Sequence, residues 1–101
     1  AYLVLDGNQL TGPIPSELGR LTELAGFHLQ HNQLTGPIPS ELGRMTALTY
    51  LGLYDNQLTG PVPSELGKLT ELVGLDLDLS TNQLTGPIPS ELGGLTAVTS
   101  L

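Results

Sequence analysis

Four serines recur in the chain, and each one opens a Ser-Glu-Leu-Gly segment: Ser16, Ser40, Ser64 and Ser90. A nucleophilic serine needs a histidine base that a third group orients. The chain has two histidines, and these four serines all stand at the same point of a repeated segment. We therefore interpret the serines as N-cap residues of short helical turns. The sequence predicts no catalytic residues and no enzymatic activity.

Two pairs of side chains have types that bind metals. His28 and His31 are three residues apart across a predicted strand end, which is poor geometry for sharing a metal. Asp76 and Asp78 lie two residues apart, but calcium takes six to eight oxygens and no surrounding loop supplies them. The sequence therefore predicts no metal site and no cofactor, and a solvated acidic edge at the two aspartates.

These residues belong to a repeat whose most regular segment is Asn-Gln-Leu-Thr-Gly. The segment occurs four times at spacings of 24, 24 and 26 residues, opening at Asn8, Asn32, Asn56 and Asn82. A fixed period of this length is typical of solenoids, in which each turn contacts only its neighbours. We expect one array of about four turns over residues 1–101, uncapped at both ends.

The third copy shows what one turn should look like. Leu51 and Leu53 are two residues apart, which indicates a short strand with Tyr50, Gly52 and Tyr54 on its outer face. The prolines of Thr59–Pro63 favour extended backbone, and Ser64–Gly67 is predicted to be one helical turn that the glycine ends. The asparagines are predicted to form a buried structural ladder of Asn8, Asn32, Asn56 and Asn82.

Residues 24–47 follow the pattern L-x-x-L-x-L-x-x-N-x-L-T-G-x-I-P-x-x-L-G-x-L-x-x, with Phe27 at a leucine position of the first strand and Met45 at the last leucine position, and similar turns span the chain. This pattern resembles the plant-type class of leucine-rich repeat. The resemblance implies an α/β right-handed solenoid with a parallel β-sheet on its concave face. It also implies a second extended segment at Leu-Thr-Gly and short 3₁₀ turns on the convex side.

Members of that family are commonly ectodomains of receptor-like kinases and receptor-like proteins, or inhibitors of secreted polysaccharide-degrading enzymes such as polygalacturonase. The resemblance thus implies a non-catalytic recognition module, located outside the cell or at its surface, with a protein, peptide or glycan ligand. The alternative function is a structural repeat that assembles end to end into a rod or fibre, which the near identity of the copies favours. Ice binding is a third hypothesis, based on one column of Thr11, Thr35, Thr59 and Thr85.

The copies differ most at the outward strand positions, which is what a ligand-binding surface requires. The predicted ligand-binding residues of the concave face are Tyr2, Asp6, His28, Gln30, Tyr50, Tyr54, Asp76 and Asp78. Glycines at positions 26, 52 and 74 are expected to interrupt this surface. The alternative explanation is that solvent-facing positions vary without any partner.

Charge and composition exclude other partners. Three basic and ten acidic residues give a net charge of −7, which disfavours nucleic acid, because Lys and Arg must neutralise its phosphates. No apolar run approaches the roughly 18 to 20 residues of a membrane span, so no membrane insertion is expected in this segment. The chain has no cysteine and therefore no disulfide.

The fourth copy carries two extra residues within Leu75–Leu79. An insertion of two preserves the alternation of inward and outward side chains. Its strand leucines are Leu75 and Leu77 if aligned from Leu72, or Leu77 and Leu79 if aligned from Asn82. A bulge or widened loop is expected near Asp78 to Thr81.

Overall fold

The computed structural model describes residues 1–76 and 81–94. Each coil contains a first strand, a second strand and a 3₁₀ helix. The first strands are β1 (Tyr2–Val4), β3 (Gly26–His28), β5 (Tyr50–Gly52) and β7 (Gly74–Asp76). The second strands are β2 (Thr11–Pro13), β4 (Gln33–Pro37), β6 (Gln57–Pro61) and β8 (Gln83–Thr85). The 3₁₀ helices are η1 (Ser16–Arg20), η2 (Ser40–Arg44), η3 (Ser64–Lys68) and η4 (Ser90–Gly94).

The first strands form one parallel sheet in the order β1-β3-β5-β7. Equivalent residues of successive coils are level with one another, so that Tyr50 pairs with Gly26 on one side and Gly74 on the other. Leu51 faces inward and is fully buried, whereas Tyr50 before it is half-buried on the outer face. The parallel sheet predicted from the two-residue period is thus confirmed.

The register of this sheet locates the extra residues of the fourth coil. Leu75 pairs with Leu51, as the alignment from Leu72 requires. The regular pattern is present again at Asn82, whose Oδ1 accepts a hydrogen bond from Leu58 N at 3.0 Å. The two extra residues therefore lie between Asp76 and Asn82. The bulge predicted near Asp78 to Thr81 falls, except for Thr81, on positions outside the described residues, as do Leu77 and Leu79.

The second strands form another parallel sheet, β2-β4-β6-β8, which is staggered. Thr35 pairs with Gln57, and not with the equivalent Thr59 of the next coil. The predicted column of threonines therefore runs diagonally across this sheet, because each coil is offset by two residues from the last. An offset of two keeps the same side chains facing outward. Gln57 and Thr59 are accordingly exposed, and Leu58 between them is buried.

The core lies between the two sheets and the 3₁₀ helices, and it is almost entirely aliphatic. Phe27 takes a leucine position in the second coil and is fully buried there. The other largest side chains with no exposure are Leu42, Met45, Leu48, Leu51, Leu53, Leu58, Leu66, Leu69 and Leu72. These positions are the ones that stay apolar from copy to copy.

The 3₁₀ helices differ from the prediction at both ends. Pro39 occupies the N-cap position of η2, and Ser40 is already the first helical residue with no capping hydrogen bond from its side chain. The carbonyl of Pro39 accepts from Leu42 N at 3.2 Å, so the backbone itself closes the turn. Gly43 lies inside the helix instead of ending it. A Cβ at position 43 would lie 2.5 Å from the carbonyl oxygen of Glu65, so this glycine lets the neighbouring coil approach.

Buried asparagines connect successive coils. Asn56 Nδ2 donates to the carbonyl oxygens of Leu29, at 3.0 Å, and Leu53, at 3.2 Å. Its Oδ1 accepts from Leu34 N at 3.0 Å. Asn32 and Asn82 are buried in the equivalent way.

Asn8 departs from the expected ladder because it is exposed. It belongs to the first coil, which has a neighbouring coil on one side only in this structure. Its Nδ2 donates to Asp6 O at 3.1 Å within its own turn.

Candidate recognition surface on the first sheet

Outward-facing side chains of the first sheet form a group that we call the strand-face patch. It consists of Tyr2, His28, Gln30, Tyr50 and Tyr54, with His31 and Asp55 at the strand ends. Side chains alternate between the two faces of a strand, so each coil contributes every second residue to the outer face. The leucines between them face the core, and the patch is therefore held on a rigid backbone.

Two pairs of rings pack against each other across neighbouring strands. The ring of His28 stacks on that of Tyr50, with centroids 4.5 Å apart and an angle of 25° between the planes. The rings of His31 and Tyr54 meet edge to face, 4.9 Å apart at 77°. Both arrangements are favourable for aromatic pairs. They fix the orientation of both tyrosines before any partner arrives.

His31 and Asp55 form a contact that the sequence analysis did not predict. The Nδ1 atom of His31 lies 2.6 Å from Oδ2 of Asp55, and the two side chains are 51% and 56% exposed. Both residues have left-handed backbone, with φ of 58° and 56°, where the first coil has Gly7 at 68°. The signal was present in the sequence, because these residues occupy equivalent positions in successive coils and so must be neighbours.

Two of the three glycines, Gly26 and Gly52, do not interrupt the patch as expected, because flat side chains cover them; the surroundings of Gly74 are not among those that the structure describes. The ring of Tyr2 lies over Gly26, in the space that a Cβ at position 26 would occupy. The amide of Gln30 lies over Gly52, and Oη of Tyr50 would be 2.7 Å from a Cβ there. Both glycines are buried. The surface is therefore continuous from the first to the third coil.

Gln30 is the one polar side chain of the patch that is almost fully buried, with 8% of its surface exposed. Among residues 1–76 and 81–94, no group donates a hydrogen bond to its Oε1. A buried acceptor without a donor costs about 1–3 kcal/mol. The fold thus retains an unfavourable group at the centre of the surface.

The charged groups around the patch are acidic. Asp6 is exposed and precedes Gly7, whose N donates to the carbonyl oxygen of Gln30 at 3.2 Å. Asp76 is placed by the register of β7 beside Gly52, and Asp78 falls outside the described residues. All three Lys and Arg residues of the chain lie in the 3₁₀ helices, at Arg20, Arg44 and Lys68. The first sheet carries no permanently positive side chain.

The described part of the chain contains no group of three or more His, Asp or Glu side chains placed to hold a metal ion. No helix in residues 1–76 and 81–94 is long and apolar enough to cross a bilayer.

The repeats match the family model described as Leucine Rich Repeat over residues 1–21, 23–45, 47–69 and 75–95. The chain belongs to the leucine-rich repeat family. The coil boundaries of the family model agree with the strand and 3₁₀ pattern of the structure. No curated protein sequence matches this leucine-rich repeat chain significantly.

Solved structures with the same leucine-rich repeat fold include plant receptor ectodomains. The ectodomain of the membrane receptor kinase GASSHO1/SCHENGEN3 from Arabidopsis thaliana, in complex with CASPARIAN STRIP INTEGRITY FACTOR 2, is 47% identical, with a TM-score of 0.92 over 97% of this chain. The plant peptide hormone receptor RGFR1 in complex with RGF2 is 43% identical, with a TM-score of 0.93 over 99% of this chain. A plant ice-binding protein is 32% identical, with a TM-score of 0.85 over 98% of this chain.

The chain spans only a small part of these proteins. It covers 12% of the GASSHO1/SCHENGEN3 chain, 16% of the RGFR1 chain and 34% of the ice-binding protein. The similarity thus shows that the chain has the leucine-rich repeat fold of those ectodomains over about four coils.

Proposed function

We propose that this chain is a non-catalytic recognition module that binds a peptide or protein segment on the strand-face patch. The observation that carries the proposal is the continuous outer surface in which Tyr50 and Tyr54 are held by ring contacts to His28 and His31. Tyrosine is enriched in interfaces, because its ring supplies contact area and its hydroxyl a hydrogen bond. Fixed rings also reduce the entropy lost on binding.

The similar structures support a peptide or protein as the ligand class. Two of them are plant receptors described in complex with a named factor or peptide hormone ligand. We accordingly propose an extracellular or cell-surface location for the protein that contains this chain.

Selection of peptides from a displayed random library against the full chain tests this function. We expect the selected peptides to perturb the backbone amide resonances of the first sheet. The Tyr50→Ala and Tyr54→Ala variants should weaken their binding at least about tenfold, which corresponds to removal of central aromatic contacts. The matched control is Leu21→Ala, which removes an exposed side chain between η1 and β3. Equal losses in the control and the tyrosine variants would show that the patch is not the binding surface.

The alternative functions have separate tests. End-to-end assembly into a rod predicts that particle length, measured by small-angle scattering, grows with protein concentration. A glycan ligand on the same patch predicts that oligosaccharides compete with the selected peptides for Tyr50 and Tyr54. The recognition hypothesis with a peptide ligand predicts constant particle length and no such competition.

A further inference from the structure

We propose that His31 supplies a hydrogen-bond acceptor to the peptide ligand through Nε2 of its ring, and that Asp55 is the positioning residue that keeps this nitrogen unprotonated. The ligand group is a backbone N–H of the bound peptide. This inference rests on the function proposed above and adds the chemistry that one end of the strand-face patch selects. Three properties carry it: the matched backbone of two turns, the chemistry of their contact and the exposure of the second ring nitrogen.

The backbone brings the two side chains together. His31 and Asp55 each lie three residues after a first strand, and both have left-handed backbone, with φ of 58° and 56°. Their turns are level, because His31 N donates to the carbonyl oxygen of Tyr54 at 3.2 Å and Asn32 N donates to that of Asp55 at 3.3 Å. Asp55 N in turn donates to Oγ1 of Thr81 in the fourth coil at 3.1 Å. The stacking of the coils therefore places the carboxylate beside the ring.

The chemistry of the contact decides which ring nitrogen carries the proton. Nδ1 of His31 lies 2.6 Å from Oδ2 of Asp55. An ionised carboxylate only accepts hydrogen bonds, so Nδ1 must be the donor. A neutral imidazole has a single N–H, and Nε2 then keeps its lone pair. The partner of one ring nitrogen thus sets the role of the other.

Nε2 of His31 is available to a ligand. The two nitrogens lie on either side of one ring carbon and their bonding directions diverge, so Nε2 points away from Asp55. The His31 side chain is 51% exposed, and within the part of the chain that the structure describes no group donates a hydrogen bond to Nε2. The ring also meets that of Tyr54 edge to face, with centroids 4.9 Å apart. The acceptor is therefore held in position and lacks a donor.

The surroundings of this acceptor select a neutral donor. The strands of the first sheet pair with one another, so a peptide that lies across their outer face needs side-chain partners for its own N–H groups. Every Lys and Arg of the chain lies in a 3₁₀ helix. A ligand carboxylate at this end of the patch would thus meet two acceptors, Nε2 of His31 and the Asp55 carboxylate, and no fixed positive charge. The pair accordingly accepts an N–H and rejects an anion.

The first measurement is the position of the proton on His31, by long-range nitrogen–proton NMR correlation of the isotopically labelled full chain at neutral pH. Nδ1 should carry the proton, and Nε2 should be unprotonated. Asp55→Asn should increase the fraction of rings with the proton on Nε2, because the asparagine amide can donate to Nδ1 as well as accept. The matched control is Glu23→Gln, which removes an exposed carboxylate before β3 and should leave the proton in place.

The second measurement uses a peptide selected from the displayed library and analogues in each of which one backbone N–H is replaced by an ester oxygen. At least one analogue should bind the wild-type chain about threefold more weakly than the parent peptide, because Nε2 loses its donor. This difference should vanish in His31→Asn, which keeps a donor for Asp55 and tolerates left-handed backbone but lacks Nε2. It should shrink in Asp55→Asn. Gln9→Asn, at an exposed residue with the same φ of 58°, should leave it unchanged.

The outcomes separate the two proposals. A proton on Nε2 in the wild-type chain, or an ester difference that persists in His31→Asn, would overturn the acceptor role of His31. An unchanged proton position in Asp55→Asn would overturn the positioning role of Asp55. If selected peptides still depend on Tyr50 and Tyr54 in those cases, the recognition function stands without this contact. If no selected peptide perturbs the first sheet, the recognition function fails and the acceptor role fails with it.

Discussion

The side-chain amide of Asn56 donates to the carbonyl oxygen of Leu29, 3.0 Å away in the preceding coil. The same carbonyl also accepts from Nδ2 of Asn32 at 3.0 Å. Each coil is thereby tied to the next by a backbone group that both asparagines share. The consequence is that stability should depend on the coil in which an asparagine lies, although the surrounding sequence is the same.

Asn56→Ala should lower the free energy of unfolding by about 2–4 kcal/mol, because Leu34 N then loses its acceptor in the interior. Asn8→Ala should cost less than about 1 kcal/mol, because Asn8 is exposed and water can replace its bond to Asp6. Urea denaturation followed by circular dichroism measures both. Similar losses in the two variants would contradict the role assigned to burial.

Gly43→Ala should lower the free energy of unfolding by about 1–3 kcal/mol, because the added methyl group meets backbone atoms of Glu65 in the next coil. Gly93→Ala is the matched control, since it occupies the same position of η4 and no atom lies within 4 Å of its Cβ site. We expect no loss of stability there. Thermal unfolding of both variants provides the comparison, and a tolerated alanine at position 43 would show that the coils can separate without cost.

Gln30→Met should raise the free energy of unfolding by about 1 kcal/mol, because an apolar side chain of similar size replaces a buried acceptor without a donor. Gln33→Met, at an exposed position, should change it by no more than about 0.5 kcal/mol. Denaturation midpoints measure the difference. A clear loss of stability in Gln30→Met would mean that the amide makes hydrogen bonds in solution.

His31→Gly should be more stable than His31→Ala by about 1 kcal/mol, because alanine is strained at a φ of 58° and both variants lose the contact to Asp55 equally. At His28, the last residue of strand β3, the order should reverse, since its backbone is not left-handed and glycine loses more conformational entropy there than alanine. Thermal denaturation of the four variants gives the two differences. The same order at both positions would contradict the left-handed backbone of His31.

The sequence was sufficient to predict features that depend on periodicity. Leu51 and Leu53 recur two residues apart in each coil, and Asn56 recurs once per coil, so strand, sheet and ladder follow from spacing alone. The outward position of Tyr50 and Tyr54 follows in the same way. Positions in register one coil apart are neighbours, which also makes the His31–Asp55 contact predictable in principle.

Other features depend on geometry that spacing does not contain. The cover of Gly52 by Gln30 and Tyr50 results from the directions of side chains on adjacent strands, which one repeat does not reveal. Ser40 looks like an N-cap because of its residue type, but Pro39 takes that position because its carbonyl closes the turn. The exposure of Asn8 comes from its place in the array and not from its local sequence.

The stagger of the second sheet means that an internally repetitive chain does not present rows of identical groups there. Perpendicular to the strands, the residues that lie side by side in successive coils are Pro13, Thr35 and Gln57. Like residues recur only along a diagonal, displaced by roughly 7 Å per coil at the usual rise of a strand. A crystal lattice that contacts this face would therefore have to match an oblique repeat in which proline, threonine and glutamine lie side by side. A lattice that matches only the distance between successive threonines would not fit this face.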